Sequence, residues 1–167
     1  MNPAHLHLLL NHIPIVGSLF SLCLLASGIL FKSKPVERAG LISLIVVSLL
    51  TIPAFLTGEG AEEAVERIVG ISDHYMEEHE ELAEVALWIM MTTGALALIA
   101  LAWSFFGSRQ SKLLSWVTVL GAAVTFSVMV QVGNHGGKIR HSEIRTATVG
   151  SYNNEGKEES KERDDDD

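Results

Sequence analysis

Cysteine is all but missing: Cys23 is the single thiol in 167 residues, and it falls inside an apolar run. One thiol excludes an internal disulfide, a zinc ribbon, a four-thiolate iron–sulfur cluster built by this chain alone, and covalent c-type haem attachment. Positive charge is scarce too. With 12 Lys and Arg against 20 Asp and Glu, the net charge is −8, which argues against nucleic acid, a partner that needs a basic surface. No Lys or Arg precedes Lys32, so the first apolar run lacks the basic start of a signal peptide. It is also too long for one, and reads as a retained span. Within the apolar runs there is no Lys, Arg, Asp or Glu; a proton or ion pathway lacks its usual residues, and transport is not indicated. Nor is there a Gly-rich phosphate loop, an HExxH or a Ser nucleophile elbow. No catalytic residue is nominated, and the chain reads as a carrier or subunit more than as an enzyme acting alone.

What is present is apolar. The chain is 48% hydrophobic, with four long runs at about Ile13 to Phe31, Gly40 to Thr57, Val85 to Phe106 and Leu113 to Val132. Each is close to the roughly 20 residues that cross a hydrocarbon core as a helix. The expected fold class is an all-α membrane protein, an antiparallel four-helix transmembrane bundle occupying residues 1–141. The third helix is expected to be extended, since no Gly or Pro interrupts Ser72 to Thr93. Residues 142–167 are charged and polar, end in Asp164 to Asp167, and read as a disordered tail.

All seven histidines fall at one end of such a bundle. His5, His7 and His12 precede the first span, His74 and His79 precede the third, and His135 and His141 follow the fourth. The opposite turns carry Lys32, Lys34 and Arg38 against Glu37, then Arg109 and Lys112 with no acid. By the positive-inside rule those turns are cytoplasmic. The expected location is a bacterial cytoplasmic (inner) membrane, with both termini and the histidine cluster on the outer, periplasmic side.

Helical spacing sorts the histidines. A stripe of Ala83, Ala86, Met90, Gly94 and Ala97 reads as ordinary close helix packing. His79 lies on that stripe and points inward, while His74 is turned from it by about 140° and faces water. At the N-terminus, either the helix runs through from Pro3 and kinks at Pro14, or it breaks near Asn11. In the first case His5 and His12 share a face and His7 does not; in the second His7 and His12 converge. Asn11 reads as a helix cap or as a hydrogen-bond partner of an imidazole. Thr57-Gly58-Glu59-Gly60 reads as a break, followed by a short amphipathic helix over Ala61 to Val69. Gly133-Asn134-His135-Gly136-Gly137 reads as the end of span four, a sharp turn that also admits a flat cofactor. Gln131 is the deepest amide of that span and a candidate to face the site. The run His79-Glu80-Glu81 reads as a solvated helix face.

Imidazoles gathered at one depth could ligate haem iron from two helices. They could instead bind copper or zinc with Glu59, Glu63 or Glu81 completing the shell, or simply sit at the interface. The pattern of His7, four residues, His12-Ile13-Pro14, then Pro53 to Thr57-Gly58, His79 and Gly136-Gly137 before His141 resembles a family. It is a poorly characterised bacterial group of four-span membrane proteins, known mainly as a domain of unknown function, some of whose members are fused to Rieske or cytochrome c domains. The resemblance covers roughly residues 5–142. It implies electron transfer and haem binding, with His7, His12, His79 and His141 as the ligand candidates. Leu8 stands where the family commonly has Pro, and fewer residues separate Gly-Gly from the last His, which raises His135 as a substitute. The favoured reading is a b-type haem electron-transfer subunit carrying one or two haems, bis-histidine ligated, in the membrane lipid. Its partners would be quinol, a cytochrome, or the other subunits of a larger complex. The alternatives are a copper- or zinc-binding or sensing module, and a cofactor-free structural subunit.

Overall fold

A computed structural model describes residues 2–65, 73–106 and 109–141, and among them there is no strand. Six helices follow one another: α1 (Pro3–Leu10), α2 (His12–Leu30), α3 (Lys34–Leu56), α4 (Gly58–Val65), α5 (Asp73–Ser104) and α6 (Arg109–Arg140). The expected tail and residues 66–72, on which the last part of the amphipathic helix expected over Ala61 to Val69 falls, lie outside the described residues. Taken across their short breaks, four helical segments are long and apolar enough to cross a membrane: Pro3–Leu30, Lys34–Ala64, Asp73–Ser104 and Lys112–Arg140. At 28 to 32 residues and about 1.5 Å of rise per residue, each exceeds a hydrocarbon core of roughly 30 Å.

Neighbouring helices run in opposite directions, which the close contacts trace directly. Between α2 and α3, Gly17 abuts Val47, Gly40 abuts Leu25 and Gly28 abuts Glu37. Between α3 and α5, Gly94 abuts Ser48, and Arg38 bonds Ser104. Between α5 and α6, Gly121 abuts Thr93 and Gly136 abuts His79. Gly133 meets Ile15 of α2, which closes the ring. The stripe on α5 is packing, with Ala86, Met90, Gly94 and Ala97 buried. Buried hydroxyls find partners inside, as an apolar medium demands: Ser21 with Ser43 at 2.6 Å, and Thr93 with Thr125 at 2.9 Å. The outside is apolar instead, with Phe20, Leu49, Trp88, Leu98, Leu120 and Val124 exposed.

Three local readings are corrected. The Gly-rich stretch at 133–137 does not end the fourth helix, which continues to Arg140 and at 32 residues equals α5 in length. Glycine inside a helix costs about 1 kcal/mol against alanine. Here it admits neighbours: a Cβ at Gly133 would stand 2.9 Å from Ile15 Cδ1, and one at Gly136 3.1 Å from His79 Cε1. Asn11 makes no side-chain cap; the cap at the N-terminus is Asn2, whose Oδ1 accepts from Ala4 N at 3.0 Å. Asn11 keeps helical dihedrals, φ −64° and ψ −21°. The interruption between α1 and α2 follows from Pro14, which has no N–H to offer the Leu10 carbonyl. Glu37, counted above as a loop acid, lies inside the bundle at 4% exposure. It accepts from Lys34 Nζ and Ser115 Oγ, both at 2.7 Å. Arg38 beside it clasps Ser104 and lies 4.1 Å from the Phe105 ring centroid.

The turn from α2 to α3 is a helix-ending motif in which Ser33 N reaches Gly28 O at 2.8 Å and Lys32 N reaches Ile29 O at 3.1 Å. That geometry places Lys32 at φ 55°, where a Cβ is disfavoured and glycine is at ease. Lys32→Gly is expected to stabilise the fold by about 1 kcal/mol, read as a higher unfolding midpoint in detergent. An unchanged or lowered midpoint would contradict this account of the turn.

Candidate functional site at the histidine end

Helix periodicity along the nearly continuous first helix, α5 and α6 decides which imidazoles face inward. His5 and His12 share the outer side of the nearly continuous first helix and are exposed; His7 turns in. On α5, His79 turns in and His74 is 72% exposed at its side chain. On α6, the His135 side chain is 26% exposed, and His141, just past the end of that helix, is exposed. Of the five candidate ligands, His7, His79 and His135 are drawn together. His12 and His141 are not among them: His12 Nδ1 bonds back to Leu8 O, four residues earlier in the chain, at 3.0 Å. Gln131 faces outward.

His7 and His79 are held in the same way. His7 Nδ1 lies 3.0 Å from Ala54 O and 3.2 Å from Thr57 Oγ1. Thr57 Oγ1 itself donates to Ala54 O or Pro53 O, so it accepts from His7. His79 Nδ1 lies 3.0 Å from Val132 O. A carbonyl only accepts, so each ring carries its proton on Nδ1 and presents Nε2 as a lone pair. Neither Nε2 has a hydrogen-bond partner among the described residues. Two glycines flank these rings: Gly136 lies against His79, and a Cβ on Gly58 would be 3.7 Å from His7 Cε1. So the Thr-Gly after span two and the Gly-Gly of span four both support histidines that lie far from them in sequence.

His7 and His79 precede the apolar runs that begin at Ile13 and Val85. His7 and His135 each lie within electrostatic reach of His79.

Among the described residues, two buried polar atoms here have no hydrogen-bond partner, Asn11 Oδ1 and His135 Nδ1. His135 Nδ1 does lie 3.3 Å from Glu78 Oε2, with an orientation that is no hydrogen bond. The other oxygen of Glu78 is 3.4 Å from His74 Nε2, a residue that spacing alone did not bring into the site. No group of three His, Cys, Asp or Glu converges to hold a metal ion among the described residues. Comparison with known protein families, with curated proteins and with solved structures finds no match.

Proposed function

We propose that this chain is an electron-transfer subunit of a bacterial inner membrane that holds a b-type haem at its outer end, with His7 and His79 as the axial ligands. One observation carries the reading: each ring gives its Nδ1 proton to a main-chain carbonyl of another helix and keeps Nε2 open. That is how metal-ligating imidazoles are oriented and kept in one tautomer. The donor set fits haem, which takes two imidazoles from different helices, and the unpartnered Asn11 Oδ1 is a polar atom left for a bound group. When bound, haem supplies one-electron redox chemistry. The chain's own residues fix the rings: Ala54, Thr57 and Val132 orient them, and Gly58 and Gly136 leave room beside them. A copper or zinc site would need three or four converging donors, and the placement of the described histidines lends that alternative no support.

The residues behind the family resemblance at His7, Thr57, Gly58, His79 and Gly136 are also the ones that meet here, which supports kinship with that group. Lys32, Lys34, Arg38 and Lys112 at the other end support a cytoplasmic placement of the turns and an outer placement of the haem. The partners are then quinol in the bilayer or a cytochrome at the outer face.

The test is an absorption spectrum of detergent-purified protein, oxidised and dithionite-reduced, with haem and metal stoichiometry on the same sample. Sharp reduced α and Soret bands are expected. A colourless protein that carries copper or zinc would move the site to the metal reading. A colourless, metal-free protein that also refuses added haem would leave a structural subunit.

A further inference from the structure

Gly133, Gly136 and Arg140 stand at i, i+3 and i+7 on α6 and so share one face of that helix. The first two define which face it is: Gly133 lies against Ile15 and Gly136 against the His79 ring. Arg140 is one turn beyond Gly136, at the end of the same stripe, where the helix leaves the core. Its guanidinium makes no ion pair or hydrogen bond among the described residues. This is so although the histidine end carries Glu59, Glu63, Asp73, Glu77, Glu80, Glu81 and Glu84, all exposed. The other cation of that last turn is used elsewhere: Lys138 is rotated away by about 200° and lies 5.7 Å from the Tyr75 ring centroid.

A ligand that satisfies both the open imidazole nitrogens and this free guanidinium must join a metal centre to an anionic group. Haem does so, since its macrocycle carries two carboxylates at one edge. Guanidinium binds carboxylate in a planar, two-pronged arrangement that no other side chain supplies. We infer that Arg140 is the carboxylate-binding residue of this site and pairs with a haem propionate, an inference that rests on the haem reading above. The pairing neutralises the propionate and sets its edge of the macrocycle toward the end of α6.

The experiment compares haem with haem dimethyl ester, which keeps the iron and the ring but loses both carboxylate charges. Haem-depleted protein, wild type and Arg140→Gln, is titrated with each. Arg140→Gln is expected to weaken haem binding about tenfold, in line with the loss of a charge-assisted hydrogen bond, and to leave ester binding unchanged. Arg140→Lys should recover part of the loss. In haem-loaded protein the midpoint potential of Arg140→Gln should fall below wild type, because a positive charge near the iron has gone. Equal weakening for haem and ester would assign Arg140 a purely structural role and overturn the inference. No weakening of either would do the same, with haem ligation still standing. Failure of wild type to bind either compound would overturn the ligation itself.

Discussion

With haem held as proposed above, His79→Ala protein is expected to lose it, and His7→Ala protein likewise, while His12→Ala, His74→Ala and His141→Ala proteins keep it. The distinction follows from placement. The first two imidazoles are inside the bundle with Nδ1 tied to Val132 O and Ala54 O; the other three are exposed. Removing an outer partner of a metal-bound histidine typically costs about 10- to 100-fold in affinity, so removing the ligand itself should cost more. Thr57→Val bounds the effect from below, because it takes away only the second acceptor of His7. Gly136→Val tests the same geometry without replacing a ligand: its Cβ would stand 3.1 Å from Cε1 of His79 and 3.3 Å from Nδ1. The ring has to move and release Val132 O, so haem is retained poorly. The measurement is the ratio of Soret to protein absorbance in purified variants, with helical circular dichroism to establish folding. Full haem occupancy and unshifted bands in folded His79→Ala protein would sink the assignment of that ligand. Loss of haem in His12→Ala but not in His7→Ala would show that the inward face of the first helix had been assigned wrongly.

How far these features are legible in the sequence depends on the range of the interaction involved. The four apolar runs are local, and so is the rotation that separates His79 from His74. Both follow from counting along one helix. The partners of the inward histidines are not local. His7 meets Ala54 across 47 residues and His79 meets Val132 across 53, and no pattern within either segment announces the match. Glycine is ambiguous for a physical reason, since the same missing Cβ permits a turn and permits close approach. At 133–137 the close approach prevails, because Ile15 and the His79 ring occupy the space that side chains would take. Glu37 misleads for a related reason. In a basic turn it looks solvated, but Ser115, its buried partner, is 78 residues away. The abundance of Ser and Thr inside the apolar runs was the available sign that polar groups meet within this bundle.

Gly28→Ala and Gly40→Ala are expected to destabilise the bundle by about 2 kcal/mol each, the largest effects on stability foreseen for changes of a single methyl group. At Gly28 the added carbon would collide with the main chain of Glu37. At Gly40 it would stand 2.5 Å from the Leu25 nitrogen and 2.6 Å from its Cα. Main chain cannot turn aside as a side chain can, so α2 and α3 must separate. Separation loosens the core around Leu25, Leu41 and Leu44, which are fully buried in one cluster with Ala97, Ala100 and Ala122. It also draws Glu37 away from Ser115, leaving a carboxylate without a partner at low exposure. Overpacking of this kind costs typically 1–3 kcal/mol, occasionally more, against which alanine regains about 1 kcal/mol of helix propensity. Gly133→Ala is the informative contrast. There the obstacle is Ile15 Cδ1 at 2.9 Å, the tip of a side chain that can rotate, so the propensity gain cancels the crowding and stability stays within about 0.5 kcal/mol of wild type. Unfolding by denaturing detergent, followed by helical signal, measures all three. If Gly28→Ala matched Gly133→Ala, the contact between α2 and α3 at this level would be looser than described. Equal loss at all three positions would instead mean that helix-bound glycine in this bundle is needed for its backbone freedom and not for the space it leaves.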